Sequence, residues 1–569
     1  MWLLETTRAA IIGHPSRSAI CVLLLIVLHF LISRFLLPEE AQKRGLKAIP
    51  GPRTNLLGDN SFQFSPVSPF LAFQKWAKEF GPIFKVTIGS QTIISVNDPK
   101  LAKELFEKRG GKFSSRNSPH VGSELLSQGR RIAFIPSGAM HAAFRRQMHL
   151  VLSISRTKEN HKIQELESRQ ALHELLQWAE SPVVEQRSSY GDIQASFRRY
   201  TLSVMMTLGY GHRVKSLGED AVKMVFEIMD DMSRTIQPGQ YLVDIFPSLK
   251  KLPYFLRTWE HDVNRKLKWQ WPFMKGLQDR TQYQMDLGIP NPGLVRALLE
   301  RRKDLSEQER VEQFLDDRCM AYQAMTLMEA GADTTSIVLM NFTAAMLLNP
   351  HVMRKGQEAV DAIVPESRMP TFEDLPRMNY INQIVKEVMR WRAIINMAIP
   401  HSNPEEAEIN GYHIPKNSII FGNVWAMQHD PNHYKNPEAF YPERYDGNTK
   451  STFESSLEAD PMNRDHYVFG WGRRICPGIH LAEASVLLFA ARLLWAFDMN
   501  LAKDGEGREI PVSCDPATAY YNSIITNPKV FPLSLKPRSQ ARAQTIRELY
   551  QDALKKWEEE KLDLFAEWE

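Results

Sequence analysis

Between residues 19 and 37 the chain is an almost unbroken apolar run, interrupted by His29, Ser33 and Arg34. A helix rising 1.5 Å per residue over this stretch is just long enough to cross hydrocarbon. No second run of that length follows. Downstream the apolar positions recur at helical spacing, predicting helices over 161–180, 195–209, 221–234, 310–348 and 481–495, with a further helical series beginning at 99–108. Alternating or β-rich stretches are fewer. Residues 83–86 and 92–96 predict a hairpin around Gly89, and strands are expected over 408–414, 417–422 and 530–535. The fold class is therefore mostly α with small β-sheets. Past Arg538, the residues Ile546, Leu549, Tyr550, Ala553, Leu554 and Trp557 form one apolar face among many charges, which predicts an amphipathic helix docked on the domain.

The N-terminal run reads as a retained single transmembrane helix. A cleaved signal peptide is the alternative, but no Ala-x-Ala-like cleavage site follows and Pro38-Glu39-Glu40 comes directly after it. Arg8 and Arg17 precede the run, whereas Arg34, Lys43, Arg44, Lys47 and Arg53 follow, so the positive-inside bias places the long C-terminal part in the cytoplasm. Pro50-Gly51-Pro52 restricts the backbone just ahead of the globular part. The expected organisation is a short lumenal N-terminus (1–18), an anchor (19–37), a proline-containing hinge (38–55), one large domain (56–538) and a C-terminal helical extension (539–569).

Composition narrows the class. The 569 residues are 43% hydrophobic and 24% charged, ordinary for a folded protein. A net charge of +4 is too mild to argue for nucleic acid. The four cysteines, Cys21, Cys319, Cys476 and Cys514, are far apart and show neither a disulfide framework nor zinc spacing.

One cysteine has a distinctive setting. The run Phe469-Gly470-Trp471-Gly472-Arg473-Arg474-Ile475-Cys476-Pro477-Gly478 leads directly into a helical segment. Its glycines allow a tight turn whose N–H groups approach the sulfur, and the helix N-terminus favours negative charge on it. Pro477 suits a first helical position. A buried structural cysteine is the bland alternative; a dinucleotide loop fails because Ile475 occupies the third glycine position. The run matches Phe-x-x-Gly-x-Arg-x-Cys-x-Gly and resembles the haem-binding loop of the cytochrome P450 monooxygenases. That resemblance implies the cytochrome P450 fold, haem b as cofactor and Cys476 as ligand to its iron.

Further segments agree in order. Ala330-Gly331-Ala332-Asp333-Thr334-Thr335 resembles the family's oxygen-activation motif, which implies that Asp333 and Thr334 serve proton delivery. In a helix a Thr hydroxyl can bond back to the carbonyl four residues earlier, and Gly331 weakens the helix locally, so a kink or opened groove is expected. Glu387-Val388-Met389-Arg390 and Pro442-Glu443-Arg444-Tyr445 resemble the family's structural Glu–Arg–Arg network. His141-Ala142-Ala143-Phe144-Arg145 departs from the family's Trp-x-x-x-Arg, with Arg145 keeping the propionate-pairing charge and His141 in the Trp position. Ala393 stands where many relatives have Pro. The resemblance spans Pro50 to Arg538 and implies a haem-binding set of Cys476, Arg474, Arg145, His141, His401 and Phe469. In style the segments are similar to fungal members that modify secondary metabolites.

The resemblance implies a monooxygenase in the endoplasmic reticulum membrane that oxidises an apolar small molecule, by hydroxylation, epoxidation or successive oxidation. No flavin, P-loop or dinucleotide motif occurs, so electrons are expected from NADPH through a separate flavoprotein reductase. Arg145, Arg146 and Arg473 are candidates for its docking face. Pocket segments are expected at 115–126, 330–334, 394–398 and 522–525. A reductase-independent isomerase or peroxygenase, a non-catalytic haem- or lipid-binding membrane protein and a structural membrane adaptor remain the competing classes.

Overall fold

The computed structural model describes residues 45–559, except 56–57, 66–67, 90, 182–190 and 238. The expected anchor at 19–37, the lumenal segment 1–18 and residues 560–569 of the extension lie outside the described residues. Long helices carry most of the chain: α1 (Pro69–Phe80), α2 (Ala139–Leu152), α3 (Ile154–Glu180), α4 (Gly191–Tyr210), α5 (Asp220–Thr235) and α6 (Thr258–Asp286). They are followed by α7 (Asp317–Leu348), α8 (Pro350–Asp361), α9 (Asn379–Trp391), α10 (Ile479–Ala496) and α11 (Gln540–Glu559). The class expected from the periodicity, mostly α with small sheets, is observed.

Helix α7 runs through the core and packs on α4, α9 and α10. The periodic run at 310–348 is not one helix, however. A short helix, Glu307–Glu312, ends in a turn where Phe314 takes φ 57°, and α7 restarts because the Asp316 carboxylate accepts from the N–H groups of Arg318 and Cys319. Helix α7 continues for 32 residues through Gly331, which lies in a short, less buried stretch of it. Gly331 serves close approach: a Cβ there would meet Met205 Sδ of α4 at 2.5 Å. The segments Glu307–Leu348 and Ile479–Ala496 are apolar and long enough to cross a membrane, yet 78% of the apolar window of each is buried inside the protein. They are core helices.

The larger sheet has the order β1-β2-β6-β3, from β1 (Ile83–Ile88), β2 (Gln91–Val96), β3 (His401–Ser402) and β6 (Ile419–Gly422). The expected hairpin is the antiparallel β1–β2 pair, with Ile83 opposite Val96; β2 then runs parallel to β6. The 408–414 stretch is itself a hairpin, β4 (Ala407–Ile409) and β5 (Tyr412–Ile414). Three short two-stranded pieces complete the strands, including β7 (Phe497–Leu501) paired with β10 (Leu533–Pro537). A bridge between Ser115 and Ser402 brings the segment after Phe113 against β3. The described part of the proline hinge links the β4–β5 hairpin to β1: Lys47 N donates to Gly411 O, Lys85 N donates to Pro50 O, and Ile49 is buried.

Helix α11 closes one side of the molecule. Ala543 and Ile546 enter the main core, while Ala553 and Trp557 pack with Leu166 of α3. His173 stacks on Tyr550, and Arg169 pairs with Asp552 at 2.7 Å. Trp557, 1% exposed, lies under the Arg213 guanidinium at 3.3 Å. Arg213 and Arg199 both bind the buried carboxylate of Glu167, so the indole roofs a charge cluster. Trp557→Ala is expected to lower the free energy of unfolding by about 3–5 kcal/mol, read by chemical denaturation.

Candidate functional site

The glycine-rich run 469–478 folds into a tight loop over the short helical turn Glu104–Lys108. Gly472 sits at φ 53°, and a Cβ there would lie 2.4 Å from the Phe106 carbonyl oxygen, so only glycine fits. Trp471 is buried between Phe106 and Tyr467. Cys476 N donates to Phe469 O at 2.9 Å, which fixes the sulfur at the loop's end. Pro477 does not open the helix as expected: Gly478 O accepts the first helical bond from Ala482, and α10 starts at Ile479. Burial pushes the Cys476 thiol up, while the Gly478 N–H and the Arg145 charge pull it down.

Around this sulfur the chain gathers positive charge. Arg145, from α2, donates to Ile475 O at 2.7 Å. Arg474 donates to Ser114 O and Ile135 O, both at 2.7 Å. Arg116, which sequence reasoning missed, donates to Ile399 O and Pro400 O, each at 2.6 Å, and its buried Nε has no partner. Among the described residues no carboxylate bonds to any of the three. Burial and the Arg145 charge bring Arg474 down to about 10, and burial and Arg474 push Arg116 well below its ordinary value. His141 is held down at about 4 by burial and by Arg474, Arg145 and Arg116, so it is neutral at pH 7. His401, on β3, has Nδ1 2.7 Å from Phe113 O; a carbonyl only accepts, so that nitrogen carries the proton. Its pKa too is driven far down, by burial and by Arg116.

This cradle fits a haem. Three clustered arginines with an unspent buried N–H and no acid call for an anionic partner, and the two propionates of the porphyrin supply one beside a thiol able to hold iron. The set implied by the family resemblance, Cys476, Arg474, Arg145, His141, His401 and Phe469, is brought to one place by the fold. Sequence reasoning missed Arg116 because a lone Arg after Ser114-Ser115 carries no periodic or spacing signal.

Asp333 and Thr334 lie on α7, which packs against α10, the helix that follows the loop. Between Cys319 and Leu347 every residue of α7 is buried except Glu329, Ala330, Gly331, Asp333 and Thr334. Thr334 Oγ1 donates to Ala330 O at 2.7 Å, as expected for a helical threonine. Asp333 Oδ1 accepts from Arg198 Nε of α4 at 2.9 Å, a partner the sequence did not reveal; the same guanidinium lies over Phe226 of α5. Behind the thiol loop, Glu387 and Arg390 form a fully buried two-bond pair at 2.7 and 2.8 Å, and Arg444 Nε joins Glu387 at 3.0 Å. Of the expected pocket segments, 394–398 is bonded to the residue just after 522–525: Thr526 N donates to Ile394 O, and Asn396 Nδ2 donates to Thr526 Oγ1.

The family model for cytochrome P450 matches residues 49–515. Cytochrome P450 monooxygenase 79 of Postia placenta is 36% identical over 529 residues, covering 90% of this chain and 93% of the relative. Cytochrome P450 monooxygenase 69 of the same fungus is 37% identical with the same coverage. Cytochrome P450 monooxygenase yanC of Aspergillus niger is 32% identical over 548 residues, covering 94% of this chain and 96% of the relative.

Removing one arginine from the cradle should weaken haem retention while the fold persists, because the lost hydrogen bonds go only to carbonyls. Arg116→Ala is expected to hold a smaller haem fraction than wild type after gel filtration, measured as the Soret-to-280 nm absorbance ratio. An unchanged ratio would remove Arg116 from the cofactor set.

Proposed function

Since the chain belongs to the cytochrome P450 family of monooxygenases, we propose that it oxidises an apolar small molecule in fungal secondary metabolism, with electrons from NADPH delivered by a separate flavoprotein reductase. The balance is one substrate, one dioxygen, NADPH and a proton giving oxidised substrate, water and NADP⁺. The observation that carries the reading is the uncompensated Arg116–Arg145–Arg474 cradle beside the Cys476 thiol, with Thr334 and Asp333 on the core helix α7. Cys476 and this cradle would hold the haem, which would supply oxygen activation and oxygen-atom transfer when bound.

The protein's own part is to hold protons and exclude water. Thr334 has committed its hydroxyl hydrogen to Ala330 O, so its lone pairs remain available as acceptors in a proton relay. Asp333 accepts from Arg198 Nε at one oxygen and is partly exposed, so lone pairs remain on its carboxylate to accept from solvent and relay a proton. The buried flanks of α7 on either side confine this exchange to one short stretch.

Membrane attachment in the endoplasmic reticulum, with the domain facing the cytoplasm, is part of the same proposal. It is supported by the apolar run at 19–37 and by an exposed apolar patch of Leu242, Phe246, Tyr254, Phe255 and Leu256 next to Lys250, Lys251 and Arg257. Arg146 and Arg473, both exposed, suit a negatively charged redox partner.

Two measurements test the chemistry. Cys476→Ala should abolish the red-shifted Soret band of the reduced, carbon monoxide-bound protein, whereas Cys319→Ala and Cys514→Ala should retain it; a retained band in the first variant sinks the ligand assignment. Thr334→Ala should keep haem and substrate binding, but product per NADPH should fall and hydrogen peroxide rise. Coupling equal to wild type would remove Thr334 from the proton path.

A further inference from the structure

His401 is bonded at one ring nitrogen only. Its Nδ1 lies 2.7 Å from the Phe113 carbonyl oxygen, and a carbonyl has nothing to donate, so Nδ1 carries a proton in every state of the ring that keeps this bond. The ring packs on Phe106 at 4.2 Å and is 3% exposed, and its strand is pinned where Ser402 N donates to Ser115 O. Tautomer and orientation are therefore set by the fold. Nε2 makes no hydrogen bond among the described residues.

The ring stands among the cradle arginines. Arg116 donates to the carbonyls of Ile399 and Pro400, the two residues before His401, and its own unpartnered Nε is not bonded to the imidazole. Arg474 donates to Ser114 O, one residue after the carbonyl that holds Nδ1. These two guanidiniums are the charges that act on the ring, and with burial they press it towards neutral. Other ionisable groups on the elements around it are paired or lacking: on the turn that carries Phe106, Glu104 meets Lys108 and Arg109 and Glu107 meets Arg464, while β6, the partner of β3, has none. His141, from α2, feels the same two arginines.

A neutral imidazole with Nδ1–H committed offers only a lone pair at Nε2. A carboxylate also offers only lone pairs, so the two repel unless a proton lies between them. We propose that His401 takes up one proton from solvent when the haem binds, and so holds a propionate as a donor at both ring nitrogens. The propionate charges act on the ring in the sense opposite to Arg116 and Arg474, and a charge-assisted bond replaces the repulsion. This inference rests on the haem reading above and adds a pH dependence that arginines, charged throughout the neutral range, do not supply. The proton-bound form exists below the pKa of the loaded ring, so haem is held most firmly there and the contact is lost as pH rises through it.

The test mixes the full-length haem-loaded protein with excess apomyoglobin and follows haem transfer in the Soret band between about pH 6 and pH 9. The wild-type release rate should climb with pH, by at most about tenfold per unit as one-proton linkage requires, and then level off. Ionisation of Cys476 works in the opposite sense, because the thiolate is the metal-binding form. His401→Gln, whose amide donates at any pH, should show no such rise, whereas His141→Gln should keep it. His401→Arg, a permanent donor, should likewise show none and serves where the glutamine variant does not load. A wild-type rate that is flat or falls with pH overturns the proposal without any variant, as does a rise that persists in either His401 variant or vanishes in His141→Gln. Protein that shows no Soret band before mixing would overturn the haem reading itself.

Discussion

A single buried carboxylate holds the thiol side of this molecule in place. Glu387 takes two bonds from Arg390, one from Arg444 and one from the Tyr441 N–H, all out of water. Arg390 then donates to Gln428 O, and the Gln428 side chain accepts from Tyr467 N, two residues before Phe469. The thiol loop hangs from this chain of bonds, since Gly470 N in turn donates to Tyr467 O. Removing one partner of such a pair leaves an uncompensated buried charge, costing about 3–5 kcal/mol, so the arrangement stands or falls as a unit.

Set beside that network, the cradle around Cys476 follows an opposite rule. Arg199 and Arg213 share Glu167, Arg131 meets Glu329, and Arg390 and Arg444 meet Glu387, so each of these arginines has a carboxylate partner within the chain. Isolated buried arginines bonded to carbonyls also occur, at Arg392 and Arg492. In the cradle Arg145 depresses Arg474 and Arg474 depresses Arg116, with two imidazoles driven down beside them. The structural arginines named first each meet an acid, whereas this group bonds only to carbonyls among the described residues.

Legibility in the sequence followed the range of each signal. The cores of α7 and α10 were readable because long apolar runs with helical spacing leave few alternatives, and the β1–β2 hairpin because two β-rich stretches flank a glycine. The restart of α7 was missed: it depends on one capping carboxylate at Asp316 and one left-handed residue, Phe314, inside a pattern that remains periodic. Two-residue strands such as His401–Ser402 exist only through their neighbours. Arg198 and Arg199 are adjacent in sequence but serve Asp333 and Glu167 on different sides of α4, a division no linear pattern carries. Arg116 is the extreme case, because its meaning is the lack of an acid around it.

The docking of Trp557 on Arg213 also has a consequence for biosynthesis. A chain is made from its N-terminus, and α3 and α4 emerge long before the indole that roofs their charge cluster. Until α11 is synthesised, the apolar stripe around Leu166 and the Glu167 cluster lack their cover, and the nascent protein presents a sticky, half-finished face. Chaperone occupancy on that face should persist through most of translation and end only when the late helix arrives.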